Sequence, residues 1–102
     1  MTKTLAELEA ERLAWSFETF PEATAISSLR KLEGEVAEVE ADLLAGTDPT
    51  EEYADCLMCL FDSAGRAGIT VEQITVAFAA KLAKNKARSW IKNADNTYSH
   101  QK

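Results

Sequence analysis

Residues 26–55 read ISSLRKLEGEVAEVEADLLAGTDPTEEYAD, and the fold follows from how the apolar positions recur in this stretch. Ile26, Leu29, Leu32, Val36, Val39 and Leu43 are spaced by 3, 3, 4, 3 and 4 residues, which places one apolar stripe along an α-helix. Gly46 ends that helix. Asp48-Pro49-Thr50-Glu51 then starts the next one, with Asp48 as cap, Pro49 at the first helical position and Glu51 reaching back to complete a capping box. This third helix runs to about Ala64. Its apolar run Cys56-Leu57-Met58-Cys59-Leu60-Phe61 covers the whole circumference, which predicts a central place in the fold.

Upstream, Leu5, Leu8, Leu13 and Trp15 keep a loose helical period from about residue 3 to residue 17, until Phe20 and Pro21 interrupt it. Downstream, Gly65 and Gly68 mark the exit from the third helix. Thr70 with Gln73 predicts a second capping box, stapled by Ile69 and Ile74, and a fourth helix from Val71 to about Trp90. Asn93 to Lys102 is polar and aperiodic, and reads as an exposed tail. No run of strand period appears. The expectation is an all-α, four-helix bundle, with one helical domain over 1–92 and a tail over 93–102.

The chain has 102 residues, 11 Lys and Arg against 17 Asp and Glu, a formal charge of −6, and 46% hydrophobic residues. That is the composition of a folded domain. The acidic balance argues against nucleic-acid binding, which needs a basic surface to displace counterions. The longest apolar run is far short of the roughly 18 residues that span a bilayer. The start carries one Lys and no apolar core of a secretion signal, so the expected compartment is the cytoplasm. A domain this small buries only about 60–70% of its unfolded surface, which favours self-association. Cys56 and Cys59 sit among apolar residues and read as buried, reduced thiols; His100 lies in the polar tail, so no zinc ligand set forms.

Two places carry chemistry. Glu35 with Glu38, and Glu52 with Asp55, are the only positions where Glu is followed three residues later by an acid. Residues so spaced share a helix face. Either pair alone fits a solvated face. Four carboxylates converging from adjacent antiparallel helices would make an oxygen-only cage suited to Mg²⁺ or Mn²⁺. On the fourth helix Lys81, Asn85 and Arg88 are spaced 4 and 3, with Lys84 beside them, a stripe able to hold phosphate oxygens or to act as an ordinary basic face.

Glu35-Val36-Ala37-Glu38, thirteen intervening residues, then Glu52-Tyr53-Ala54-Asp55, resembles the paired acidic motif of the MazG-like all-α nucleoside triphosphate pyrophosphohydrolases. The segment from Leu60 to Gly68, followed by Lys81, Lys84, Asn85, Arg88 and Trp90, is similar to the dATP/dGTP diphosphohydrolase group within them. The short single domain is compatible with the related phage MazZ-type enzymes. Gly34 stands where many relatives carry a Glu, leaving Glu33 or Asp42 as the further carboxylate.

The resemblance implies hydrolysis of a purine deoxynucleoside triphosphate, dGTP or dATP, between the α and β phosphates. It implies Glu35, Glu38, Glu52 and Asp55 as ligands of Mg²⁺ or Mn²⁺, two or more per site, with Glu38 also polarising the attacking water. Lys31, Lys81, Lys84, Asn85 and Arg88 would steady the phosphates. Asp62 would play a supporting role, paired with Arg66 or with a cation of the fourth helix. Trp15, Phe17 and Phe20 could stack on the base or pack in the core, and Trp90 would anchor the core or a subunit contact. Family members assemble as dimers or dimers of dimers. Two other readings stand beside this one: a dUTP/dCTP pyrophosphatase on the same scaffold, and a non-enzymatic helical module whose acidic face binds a basic partner.

Overall fold

Thr4 opens the first helix by accepting a hydrogen bond from the Glu7 amide at 3.1 Å, while the Glu7 carboxylate accepts from the Thr4 amide at 2.9 Å. Two of the helix's orphan donors are thereby satisfied reciprocally. The computed structural model describes residues 2–101. Its elements are α1 (Leu5–Thr19), α2 (Ala25–Ala45), α3 (Thr50–Arg66), α4 (Val71–Lys86), β1 (Trp90–Lys92) and β2 (Tyr98–His100). Four helices are present, as the all-α reading expects.

Thr24 and Ser27 build a second capping box at the start of α2, and Gly46 ends the helix in the left-handed region at φ 75°. That conformation is cheap only for a residue without a Cβ. The start of α3 departs from expectation. Asp48 accepts from the Thr50 amide at 3.0 Å and from its hydroxyl at 2.6 Å, closing a tight turn ahead of Pro49. Among the described residues no hydrogen bond joins Glu51 and Asp48, because the helix starts at Thr50 and Pro49, which offers no side-chain hydrogen bond, stands at the cap position.

Two compact units divide the chain, 1–71 and 72–102. In the first, α2 and α3 pack as an antiparallel pair across the short connection 46–49, and α1 packs on α3. The third helix is therefore the middle one, as predicted, but it is not apolar all round. Its buried residues are Cys59, Asp62 and Ser63, while Leu57, Met58 and Leu60 stay 39–50% exposed. Two of these three positions are polar because neighbours satisfy them. The Ser63 hydroxyl donates to the Ala25 carbonyl at 2.8 Å, and Asp62 is met from both other helices. Both cysteines are free, Cys59 buried and Cys56 half-buried.

Gly34, inside α2, and Gly65, in the last turn of α3, behave oppositely. A Cβ on Gly34 meets nothing within 4 Å, whereas one on Gly65 would stand 2.7 Å from Leu13 Cδ1. Gly34→Ala is expected to stabilise the fold by about 0.5–1 kcal/mol through helix propensity. For Gly65→Ala the crowding of a half-buried leucine, about 1–3 kcal/mol, outweighs that gain, and the variant should melt lower. Thermal denaturation of the two variants checks the sign of each.

In the second unit α4 begins directly after Thr70, where the capping signal puts it, but ends at Lys86 rather than near Trp90. The Ala87 amide is shared between the Ala83 and Lys84 carbonyls and the Arg88 amide bonds to Asn85, so the helix tightens and stops. Arg88 is consequently past the helix end. Trp90–Lys92 pairs antiparallel with Tyr98–His100, and the stretch read as a polar tail carries the second strand of this hairpin. Asn96 supplies the positive φ of 71° that the turn needs, and Asp95 accepts from the Thr97 amide at 3.1 Å. Trp90 opens β1 instead of closing a helix. Its indole donates to the Asn85 carbonyl at 3.0 Å and meets the His100 ring edge-on. Among the described residues no helix is long and apolar enough to cross a membrane.

Candidate active site

Successive turns of α2 present Asp42, Glu38, Glu35 and Lys31 to the turns of α3 that carry Glu52, Asp55 and Cys59. The electrostatics report this ladder. Glu38 lies beside Glu35, and the closeness of that carboxylate, with the charges of Glu35 and Asp55 and slight desolvation, pushes its carboxyl above the usual range. Glu52 is held down by its own backbone amide; contact with Asp42, burial, and the charges of Asp42 and Glu51 overcome this and raise it. Each shift has the same main origin, a neighbouring carboxylate close enough to disfavour a second negative charge.

Lys31 supplies the cation at the end of the ladder. Its ammonium stands 3.2 Å from Glu35 Oε1 and is held in the charged form by that hydrogen bond and by the charges of Glu35 and Asp55. The second oxygen of Glu35 and one oxygen of Glu52, both Oε2, are buried with no hydrogen-bond partner. A buried carboxylate oxygen without a partner is costly unless a cation meets it. The donor set is all oxygen, which suits Mg²⁺ or Mn²⁺. Among the described residues no three such side chains are yet grouped as a metal would hold them.

Beside the ladder runs a cleft of about 460 Å³, bordered by Trp15 and Phe20 at one end and by Lys31, Glu35 and Asp55 at the other. The two aromatics meet edge to face at 5.3 Å between ring centres, and both keep about half their surface exposed. Asp62 forms part of the wall. Its Oδ1 accepts from Arg12 at 3.0 Å and from the Ser16 hydroxyl at 2.7 Å; its Oδ2 accepts from the Ser28 hydroxyl at 2.6 Å and from Arg66 at 2.7 Å. Burial opposes its charge, but these four donors hold the carboxyl well below the ordinary carboxylate range.

The first unit therefore gathers Trp15, Phe20, Lys31, Glu35, Asp55 and Asp62 around one cleft, with Glu38 against Glu35 and Glu52 further along with Asp42. The predicted Asp62–Arg66 pair is present. Phe17 lies under the Arg66 guanidinium, 4.9 Å from its ring centre. Lys81, Lys84, Asn85 and Arg88 belong to the second unit, where Lys81 and Lys84 are exposed and Arg88 donates to the Asn85 side chain at 3.3 Å. Sequence reasoning missed Glu9, Arg12, Ser16 and Ser28. The available signal was Asp62 itself, a carboxylate following an apolar run, which must have partners if it turns inward.

A helix pair with acids three apart on both members agrees with the resemblance to the MazG-like all-α proteins. A MazG-like pyrophosphohydrolase from cyanophage S-2L, solved bound to dGDP and three catalytic Mn²⁺ ions per active site, superposes with a TM-score of 0.79. It is 34% identical and covers 99% of this chain and 100% of its own. The chain belongs to the dATP/dGTP pyrophosphohydrolase family, whose sequence model matches residues 8–101. A dATP/dGTP diphosphohydrolase of cyanophage S-2L is 42% identical over 96 residues, covering 94% of this chain and 86% of that protein. One of Salmonella phage PMBT28 is 34% identical over 99 residues, 97% of this chain, which spans only 32% of that longer protein.

Proposed function

We propose that the chain is a divalent-metal-dependent hydrolase that cleaves dGTP or dATP between the α and β phosphates, giving the monophosphate and pyrophosphate. The observation that carries this reading is the pair of buried, unpartnered oxygens, Glu35 Oε2 and Glu52 Oε2, on opposite members of the acidic ladder. Glu35, Glu38, Glu52 and Asp55 would hold the ions, two or more per site, with Asp42 beside Glu52 as a further oxygen donor. A divalent cation supplies Lewis acidity to the phosphate oxygens and makes water more acidic.

The residues divide the remaining work. Glu38, the most solvent-accessible of the four and the one whose carboxyl is raised by Glu35, orients the attacking water and accepts its proton. The bond from the α phosphorus to the bridging oxygen breaks and pyrophosphate leaves. Lys31 neutralises phosphate charge at the mouth of the ladder. Trp15 and Phe20 form the wall on which a purine can stack. Val39 and Cys59 are the only buried apolar residues among the described residues, while Leu44 and Phe78 are 83% and 69% exposed. Such exposure supports assembly as a dimer or a dimer of dimers. We place the activity in the cytoplasm, where its substrates are.

The deciding experiment incubates the protein with each NTP and dNTP plus Mg²⁺ or Mn²⁺ and separates the products. Monophosphate and pyrophosphate from the purine dNTPs support the reading; preference for dUTP or dCTP moves the protein to pyrimidine chemistry. A second expected outcome concerns stability. Substrate or product with Mn²⁺ at about a hundred times Kd should stabilise the native state by ~2.7 kcal/mol, a rise in Tm of roughly 10–20 °C. A merely acidic binding face would show no rise with nucleotide.

A further inference from the structure

We propose that Arg12 reads the base, and that it favours a purine bearing a 6-oxo group. The inference rests on the nucleotide-cleft reading above and deepens it.

Arg12 borders the cleft together with Trp15 and Phe20. Its guanidinium is clamped: Nε and Nη2 donate to the two Glu9 oxygens at 2.5 and 2.9 Å, and Nη1 donates to Asp62 Oδ1 at 3.0 Å. Those bonds use three of the five N–H donors that arginine carries. One donor on each terminal nitrogen remains, on a side chain that is only 13% exposed. A buried cation with spare donors, locked by two carboxylates into one plane, is preorganised to read a planar ligand.

Its distance from the acidic ladder decides what it can touch. Asp62, which anchors Arg12, lies seven residues after Asp55 on α3, and Ser28, on the same carboxylate, lies seven residues before Glu35 on α2. Two helical turns amount to about 10 Å. With phosphates at Glu35 and Asp55, Arg12 stands at the nucleoside end of the substrate, next to the aromatic wall. Of the two carboxylates at this end, Asp62 already meets four donors and Glu9 does not border the cleft, so the spare hydrogen-bonding groups of charged residues offered here are the Arg12 donors. Guanine offers O6 and N7 as adjacent acceptors, the pair an arginine fork matches; adenine sets an N6 amino donor where O6 would be.

The test compares binding and turnover of four purines by the full chain with Mn²⁺. Kd is measured calorimetrically for the diphosphates of deoxyguanosine, deoxyinosine, deoxyadenosine and 2-aminopurine deoxyriboside, and kcat/KM for the triphosphates. The expected result groups guanine with hypoxanthine, which keeps O6 and N7, and puts adenine and 2-aminopurine about tenfold or more behind. Arg12→Lys, which keeps the charge that Glu9 and Asp62 need but loses the fork, should bring the guanine-to-adenine ratio to within about threefold. That change should come mainly through KM for dGTP. Equal handling of guanine and adenine by the unaltered protein overturns the assignment, as does hypoxanthine falling with adenine, which would mean that the 2-amino group is read. Turnover of none of the triphosphates defeats the proposed function alone, because the diphosphate affinities still decide for or against Arg12.

Discussion

Asp55→Asn is expected to lower pyrophosphate release from dGTP by about a thousandfold, the ~4 kcal/mol of transition-state stabilisation that a misplaced metal forfeits, without lowering Tm. Asp55 faces Glu35 and Glu38 across the α2–α3 contact, in a region with one nearby cation, Lys31. Removing one charge relieves repulsion among those that stay. A carboxylate kept for stability would behave in the opposite way, its loss leaving a cation unpaired. Glu38→Gln should lose activity on a similar scale but by a different route. Glu38 orients the water as well as holding the ions, so Glu38→Gln should lower kcat beyond what its loss of metal affinity explains and keep part of the Mn²⁺-induced rise in Tm, whereas Asp55→Asn should lose the rise and the activity together. Normal turnover in either variant removes the ladder from the mechanism.

The ladder could be seen from the sequence because it depends on one local regularity. Six apolar residues from Ile26 to Leu43 mark one stripe of α2, of which Leu29, Leu32 and Val39 are at least partly covered in the first unit while Ile26, Val36 and Leu43 stay exposed, and Glu35, Glu38 and Asp42 occupy a neighbouring stripe of the same helix. A short connection makes the following helix antiparallel, so the acids at Glu52 and Asp55 must pass close by. The knot around Asp62 was hidden for the converse reason. Ser16, Ser28 and Arg12 lie 46, 34 and 50 residues from it, and each alone looks like a solvated surface residue. The hairpin was missed because strands of three residues are too short to show a period of two, and Trp90 falls at a spacing from Lys86 that also continues a helix. The exposure of α3's leucines contradicts the idea that an apolar run means an enclosed helix: within the first unit two helices, of 15 and 21 residues, cannot cover every side of a third.

The largest loss of stability should follow Asp62→Ala. The carboxylate joins α1, α2 and α3 through four hydrogen bonds, two of them from guanidinium groups on opposite sides. Its removal leaves Arg12 and Arg66 with part of their buried charge unanswered, a situation that costs about 3–5 kcal/mol. In a domain of this size that lowers Tm by roughly 15 °C or more, at fixed protein concentration. Arg66→Lys should be nearly as damaging. The Arg66 fork also donates to the carbonyls of Ser16, Phe20 and Ala23, tying down the α1–α2 connection in a way one ammonium cannot reproduce. Acid titration gives the same knot a second signature. The folded carboxyl sits below its unfolded value, so the unfolded chain binds more protons in the interval between the two. The stabilisation is complete above the ordinary carboxylate pKa of about 4 and drains away as the pH falls below it. Asp62→Asn, already destabilised near neutrality, should lose less further stability between about pH 4 and pH 2 than the unaltered protein. An acid limb of equal depth in both would show that Asp62 is not what the low-pH transition titrates.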